Sequence, residues 1–273
     1  MKIKKICFLC AVLICSGVVF TGCSKDDDGS EISSVTSINA KVENGSDYNF
    51  DKVKAVAYYD DFDNEYIYGE SNYTNGGFKF DLPKTVDEKY LTLLYLSDEE
   101  AEWMTISNKN VMGTAINFEA YKWGNCMGKF YYGSTSKNIT STNYSATIVE
   151  GFCMYVNKDI TIKGSATETE EIDGVNIPIK NSMNVVLRKG WNIMYIIESL
   201  SAKISGGNIT SASGTYTGTT QKPCEMKWYY EDDFESYLDL GVVQKPSQPE
   251  INPKFSVDLQ KLVSKYWKKK MSN

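Results

Sequence analysis

The sequence has 273 residues, 42% of them hydrophobic and 23% charged, with a formal charge of −6 and no histidine. The missing histidine excludes Ser-His-Asp and Cys-His nucleophile systems, histidine-ligated zinc and bis-histidine haem. The acidic balance removes the electrostatic case for nucleic acid as a partner, and leaves carboxylate-pair hydrolysis and lysine chemistry formally open.

Residues 1–5 carry Lys2, Lys4 and Lys5, and residues 6–20 are apolar apart from Ser16. A basic start followed by an apolar run too short to span a bilayer comfortably has the order of a signal peptide, here residues 1–22. A buried N-terminal helix or a plain secretory signal would be the competing readings. The run ends in Phe20-Thr21-Gly22-Cys23, which resembles a loosened bacterial lipobox. That resemblance implies lipid on the Cys23 thiol, cleavage before it, and a membrane partner reached through the lipid anchor. Lys25-Asp26-Asp27-Asp28 follows, in a polar tether spanning residues 23–34. It resembles the acid-rich export signal of Bacteroidota surface lipoproteins, and with Ser24 rather than aspartate after the cysteine it implies the outer membrane and its exterior. The aspartates would also keep a tether solvated in any case.

Cleavage there moves the formal charge from −6 to −9, with 26 Lys and Arg against 35 Asp and Glu. It leaves Cys126, Cys153 and Cys224. Three thiols allow one disulfide, with Cys126 and Cys153 in strand-like surroundings, or none. None has C-x-x-C spacing, and buried, inert thiols are the reading adopted.

Residues 35–97 are dominated by period two. Val53, Ala55, Ala57 and Tyr59 share one face, and Phe78, Phe80 and Leu82 alternate with Lys79 and Asp81 before Pro83. Asn75-Gly76-Gly77 supplies the positive-φ residues for a tight turn into that strand. The continuously apolar Tyr90-Leu91-Thr92-Leu93-Leu94-Tyr95-Leu96 predicts a central strand. The run Gly76-Gly77-Phe78-Lys79-Phe80-Asp81-Leu82-Pro83, with the strand before it, resembles transthyretin-like or carboxypeptidase-regulatory-like sandwiches, which implies a fold and no function.

Residues 97–113 form a seam, where Ser97 could cap one helical turn rich in Glu99, Glu100 and Glu102. From 114 to 230 strands dominate again. Residues 148–156 predict a central strand. A hairpin is expected to turn at Arg188-Lys189-Gly190, with Trp191, Ile193, Tyr195 and Ile197 on one face. Met226, Trp228 and Tyr230 share another. The expectation is a mainly β protein: two small β-sandwich domains in tandem (35–97 and 114–230), a Pro-rich linker at 231–254 and a short C-terminal helix at 255–270. Within that helix Leu259, Leu262, Val263 and Tyr266 recur at helical spacing, and docking on its own protein is the reading preferred over a partner or a membrane surface.

Two candidate sites emerge. Asp60, Asp61 and Asp63, with Asn64 and Glu65, gather hard oxygen ligands suited to calcium in a hairpin loop. The EF-hand pattern fails there, because Tyr66 stands where its glycine belongs, and a solvated turn explains the same residues. Glu231, Asp232, Asp233 and Glu235 form a weaker acidic run. The other candidate is aromatic: Tyr58, Tyr66, Tyr68, Tyr73, Trp103, Trp123, Tyr131 and Tyr132 fall near strand ends or loops, where exposed rings could hold a sugar. Core packing is the competing use. No cofactor is otherwise signalled. The expected function is non-enzymatic binding or adhesion at the cell surface, toward a glycan or a protein. The alternatives are an accessory subunit of a fimbria or outer-membrane complex, and a carboxylate-dependent glycoside hydrolase.

Overall fold

The computed structural model describes residues 35–59, 64–172, 175–205, 208–231 and 233. The signal peptide and Cys23, the export-like Lys25 and Asp26 to Asp28, the Asp60, Asp61 and Asp63 loop, nearly all of the linker and the whole C-terminal helix lie outside these residues.

The chain is mainly β, as its alternation predicts. A small sheet pairs β1 (Ser37–Lys41) with β4 (Gly77–Asp81), antiparallel. Asn75 (φ 52°) and Gly76 (φ 72°) form the expected tight turn into β4. Gly77 is required there, because a Cβ on it would stand 2.1 Å from the Ala40 carbonyl oxygen of the paired strand. Phe78, Phe80 and Leu82 are buried, as their spacing predicts.

All other strands belong to one sheet. It begins with the hairpin β2 (Lys52–Tyr59) and β3 (Asn64–Asn72), and continues through β7 (Met112–Lys122), β8 (Asn125–Ile139) and β9 (Asn143–Val156). Next come β12 (Gly190–Ser205), β13 (Asn208–Thr219), β11 (Val175–Leu187), β10 (Ile160–Ile172) and, at the far edge, β6 (Met104–Ile106). β5 (Thr92–Leu93) adds to β7, and β14 (Lys227–Tyr230) to β8. Thus β2 and β7, which the sequence assigns to different sandwiches, are hydrogen-bonded neighbours. The small sheet packs on the large one through a shared core that includes Ile38, Phe78 and Phe80 with Val53, Phe118, Phe130 and Trp228. Each such ring contributes about 1.5–3 kcal/mol by leaving water.

Several expectations hold. β9 is central and buried along residues 151–156. Ser97 caps α1 (Asp98–Ala101): its hydroxyl accepts the Glu100 N–H, and the Glu100 carboxylate accepts the Ser97 N–H in return. Met226, Trp228 and Tyr230 share the main core. Two expectations fail. The apolar run 90–96 is no central strand: only Thr92–Leu93 pair, at the flank of β7, and Leu93 is exposed. Leu91 enters one core cluster and Leu94 another, so the run bridges two apolar layers, a role that looks like a buried strand in sequence.

The chain does turn at Arg188-Lys189, but β11 and β12 do not form a hairpin, because β13 lies between them, parallel to β11 and antiparallel to β12. β13 stops at Thr219, opposite Tyr195 and Asn184, which leaves the turn end of the two strands without a ladder. The buried Asn192 amide fills that gap. Its Oδ1 accepts the Arg188 N–H at 2.8 Å, and its Nδ2 donates to the Arg188 and Gly190 carbonyls at 2.7 and 2.8 Å. Asp159 holds the turn from outside, accepting from Arg188 Nη1 and the Lys189 N–H, contacts that keep its carboxyl below the ordinary range.

Candidate functional site

The eight aromatic candidates separate by packing. Tyr73 and Tyr132 are buried, and Tyr66 stacks on Tyr90 with ring centres 3.6 Å apart. Tyr58, Tyr68, Trp103 and Tyr131 are half-buried. Core packing therefore claims most of them, and no broad ring platform forms from the set. Trp123 is different: it is 83% exposed.

Trp123 sits at the tip of the β7–β8 hairpin, in a two-residue turn with Gly124. Both have positive φ, 51° and 82°, the geometry of the type I′ turn that Asn-Gly favours. A bulky side chain in this region is a genuine outlier. The Trp123 N–H donates to the Asp51 carboxylate at 2.7 Å, and the Lys122 ammonium lies 4.8 Å from the ring centre. Below the tip Met127 is the extra residue of a β-bulge, since Ala120 pairs with Gly128 and Tyr121 with Cys126; it is 48% exposed. The tip therefore presents apolar surface that its own fold does not use.

One strand-step lower, the buried Glu119 carboxylate accepts the Tyr58 hydroxyl at 2.5 Å and the Tyr121 hydroxyl at 3.1 Å, with Cys126 Sγ at 3.7 Å. Burial first, then the neighbouring carboxylate, push both phenols well above their usual range. Glu119 is a satisfied structural carboxylate, tying β2, β7 and β8 together. Glu231 acts likewise, accepting the Lys129 N–H at 2.9 Å. Asp233 accepts from Asn44 Nδ2 at 3.3 Å, so the described part of that acidic run braces the fold. Among the described residues no group of three or more His, Cys, Asp and Glu side chains could hold a metal ion.

All three thiols are free, with Cys153 buried but Cys126 and Cys224 exposed, which corrects the reading of all three as buried. Cys126 pairs with Tyr121 and Cys153 with Ile116. An odd and an even residue of β7 point to opposite faces, so the two sulfurs lie on opposite sides of the sheet.

The second candidate site was not legible in sequence. On the face of β9 that carries Ile148, Phe152 and Met154, the middle position is Glu150. On the matching face of β12, between Ile196 and Leu200, it is Glu198. Glu150 pairs with Ile196 and Glu198 with Ile148, so the two acids are diagonal neighbours on adjacent strands. The row continues through Tyr216 of β13, opposite Glu198, and Asn181 of β11, opposite Tyr216. The Asn181 amide donates to Glu168 of β10 at 2.6 Å. Five adjacent strands thus place a polar side chain at this level of the face, between two core clusters, and β10 adds Glu170 opposite Ile177.

Glu150 and Glu198 are half-buried as residues, with the Glu198 Oε2 atom withdrawn from solvent; their neighbours Phe152, Ile196 and Leu200 on the same face are 3%, 3% and 0% exposed. Burial, and then the Glu198 carboxyl, push Glu150 up to about 8, so it holds its proton at neutral pH. Beyond Phe152, Asn117 of β7 is fully buried and neither its amide nitrogen nor its oxygen has a hydrogen-bond partner. It stands where β7 leaves β9, after the Ile116–Cys153 pair, to join β8 at Phe118–Phe130. Ala115 pairs with Met154, which puts Asn117 on the face of Glu150.

Searches with this sequence and structure match no family model, no curated protein and no solved structure. Among the described residues no helix is long and apolar enough to cross a membrane.

Proposed function

We propose that this chain is an outer-membrane lipoprotein, anchored through lipid on Cys23 and exposed at the cell surface, that acts in binding or adhesion without catalysis. Its contact would be the Trp123 hairpin tip. The observation that carries the reading is the distance between this tip and the place where the tether joins the fold. The Val35 N–H donates to the Trp191 carbonyl at 2.9 Å. Trp191 pairs with Tyr155, and Tyr155 with Thr114 of β7. Trp123 lies nine residues further along β7 and its turn, roughly 30 Å at about 3.3 Å per residue. A tether at one end and an exposed ring at the other suit a protein that holds a contact surface away from its membrane. Whole-cell adhesion to glycan and host-matrix arrays, compared between wild type and Trp123→Asn, tests this. The substitution keeps the turn, so adhesion should fall severalfold at unchanged surface abundance; equal adhesion would reject the tip.

A second reading is favoured by one observation, the adjacent Glu150 and Glu198 carboxyls. An acid that keeps its proton beside a second carboxyl is the arrangement used in glycoside hydrolysis. Hydrolysis of aryl glycosides that is lost in Glu150→Gln would establish it, and an inert wild-type protein across such substrates would remove it.

A further inference from the structure

We propose that the uncovered edge of β10, from Ser165 to Ile172, accepts a basic extended segment of another protein as an added strand. This surface lies apart from the Trp123 tip and from the lipid anchor, and depends on neither.

β10 is thirteen residues long, yet β6 covers only Ile162, Lys163 and Gly164 of its outer edge. β6 begins at Gly164, where a Cβ would collide with the Trp103 carbonyl oxygen. The direction of the backbone groups beyond that point follows from the covered part. The Ser107 N–H donates to the Thr161 carbonyl at 2.9 Å, and the Thr161 N–H to Ser107 Oγ at 2.8 Å. Odd-numbered residues of β10 therefore aim their backbone groups outward, and even-numbered ones aim theirs at β11. By that alternation Ser165, Thr167, Thr169 and Glu171 present N–H and C=O groups to a side on which no described strand pairs with them. All four residues are exposed. The other long edge strand differs: β3 abuts the small sheet, where the Lys79 N–H donates to Ser71 Oγ at 3.4 Å and a Cβ on Gly69 would meet the Phe80 ring at 3.5 Å.

An edge that must stay unpaired is kept short, bent by a bulge or broken by proline. β10 holds an unshifted register with β11 from Ile160 to Ile172 and contains no proline. Ser165, Ala166, Thr167 and Thr169 are small or β-branched, which lets a second backbone approach. The charge then selects the occupant. The free stretch carries Glu168, Glu170 and Glu171, against Lys180 alone on the facing part of β11, and Glu168 and Glu171 are exposed. A symmetric antiparallel pairing of this stretch with a second copy, centred on Glu168, would set two like charges directly opposite, which disfavours the chain as its own partner. A strand that carries lysine or arginine meets the same acids favourably. Backbone pairing supplies the contact, and charge the discrimination.

The test is titration of the full chain with an acetylated, amidated heptapeptide of alternating lysine and valine, with its glutamate–valine counterpart as contrast, read by binding and by amide hydrogen exchange. In the free protein the Thr167 and Thr169 amides should exchange quickly, and those of Ala166 and Glu168, which donate into β11, slowly. The lysine peptide should slow Thr167 and Thr169 by about tenfold or more, and the glutamate peptide should leave them unchanged. Thr169→Pro removes one outward donor without touching the β10–β11 ladder and should weaken the lysine peptide by about tenfold or more, whereas Thr169→Val should keep it. Glu168→Gln should weaken it severalfold, and Trp123→Asn should bind it as wild type. No protection of Thr167 and Thr169 by the lysine peptide, equal binding of the glutamate peptide, or wild-type affinity in Thr169→Pro would overturn the proposal. Protection of the same amides that rises with protein concentration alone would also overturn it, by assigning the edge to a second copy. Adhesion that depends on Trp123 stands or falls separately, since the peptide does not engage the tip.

Discussion

The two faces of β9 and β12 follow opposite rules. One face places Val149, Cys153 and Tyr155 beside Trp191 and Tyr195 in the main core, without an ionisable group other than the buried thiol and phenols. The other runs Tyr144, Ala146, Ile148, then Glu150, then Phe152, Met154 and Val156. Both faces belong to the same two strands and the same ladder, so backbone pairing cannot explain the difference. Hydrophobic burial accounts for the first face from Val149 to Tyr155; toward the other end of the strands it carries Thr147 and Ser199, whose hydroxyls share a hydrogen bond at 2.9 Å. On the second, an acid and its neighbours interrupt two clusters that would pack more stably if they were continuous, since a buried polar group costs free energy unless it is fully paired.

The largest effect should come from the apolar face. Phe118 is fully buried, with ring contacts to Phe78, Phe80 and Trp228 at 5.3–5.6 Å between centres. Phe118→Ala should lower unfolding stability by about 3–5 kcal/mol, read from the midpoint of urea unfolding. A loss below about 1 kcal/mol would mean that the aromatic cluster does not carry the fold.

The polar face should respond to pH instead. Folded Glu150 holds its proton up to about 8, against an ordinary value of 4.5. Between those values the folded state binds a proton that the unfolded chain has released, so raising the pH weakens the fold across that window and no further above it. The full loss is on the order of a few kcal/mol. Glu150→Gln carries no such proton. Its stability should change less than wild type between pH 5 and 8.5, and exceed wild type at the alkaline end. Parallel stability profiles for the two proteins would place Glu150 in water and collapse the distinction between the faces.

Much of the apolar face was legible in sequence because alternation reports it directly. Val53, Ala55 and Ala57, then Phe78 and Phe80, then Trp228 and Tyr230 are all found on the core side their spacing predicts. The Ser97 cap was equally readable, since it depends on residues three apart. The Arg188-Lys189 turn was visible, but not the insertion of β13 between the strands it joins, because that placement is decided by residues twenty to thirty positions away. The polar track was hidden for a related reason. Glu150 and Glu198 are 48 residues apart in sequence and meet only through the β9–β12 register. Each alone looks like an ordinary outward charge on an alternating strand. A faint signal did exist: both occupy positions in phase with buried apolar neighbours, where a solvated charge has no reason to be.

The smallest effect tests the geometry of the faces without disturbing either. Cys153 lies on the apolar face, and Cys126 lies beside Glu119 on the other. Two sulfurs on opposite sides of one sheet cannot approach bonding distance without breaking it. Mild oxidation should therefore leave no intramolecular Cys126–Cys153 bridge by mass spectrometry, and Cys126→Ser should shift stability by less than about 0.5 kcal/mol. Labelling the native protein with iodoacetamide should modify Cys224 and Cys126 but not Cys153, which should react only after unfolding. Cys126 should react slowly, because burial and the Glu119 carboxylate push its thiol up and deplete the reactive thiolate. Rapid labelling of Cys153 in the native state would show that the apolar layer behind β9 opens without global unfolding.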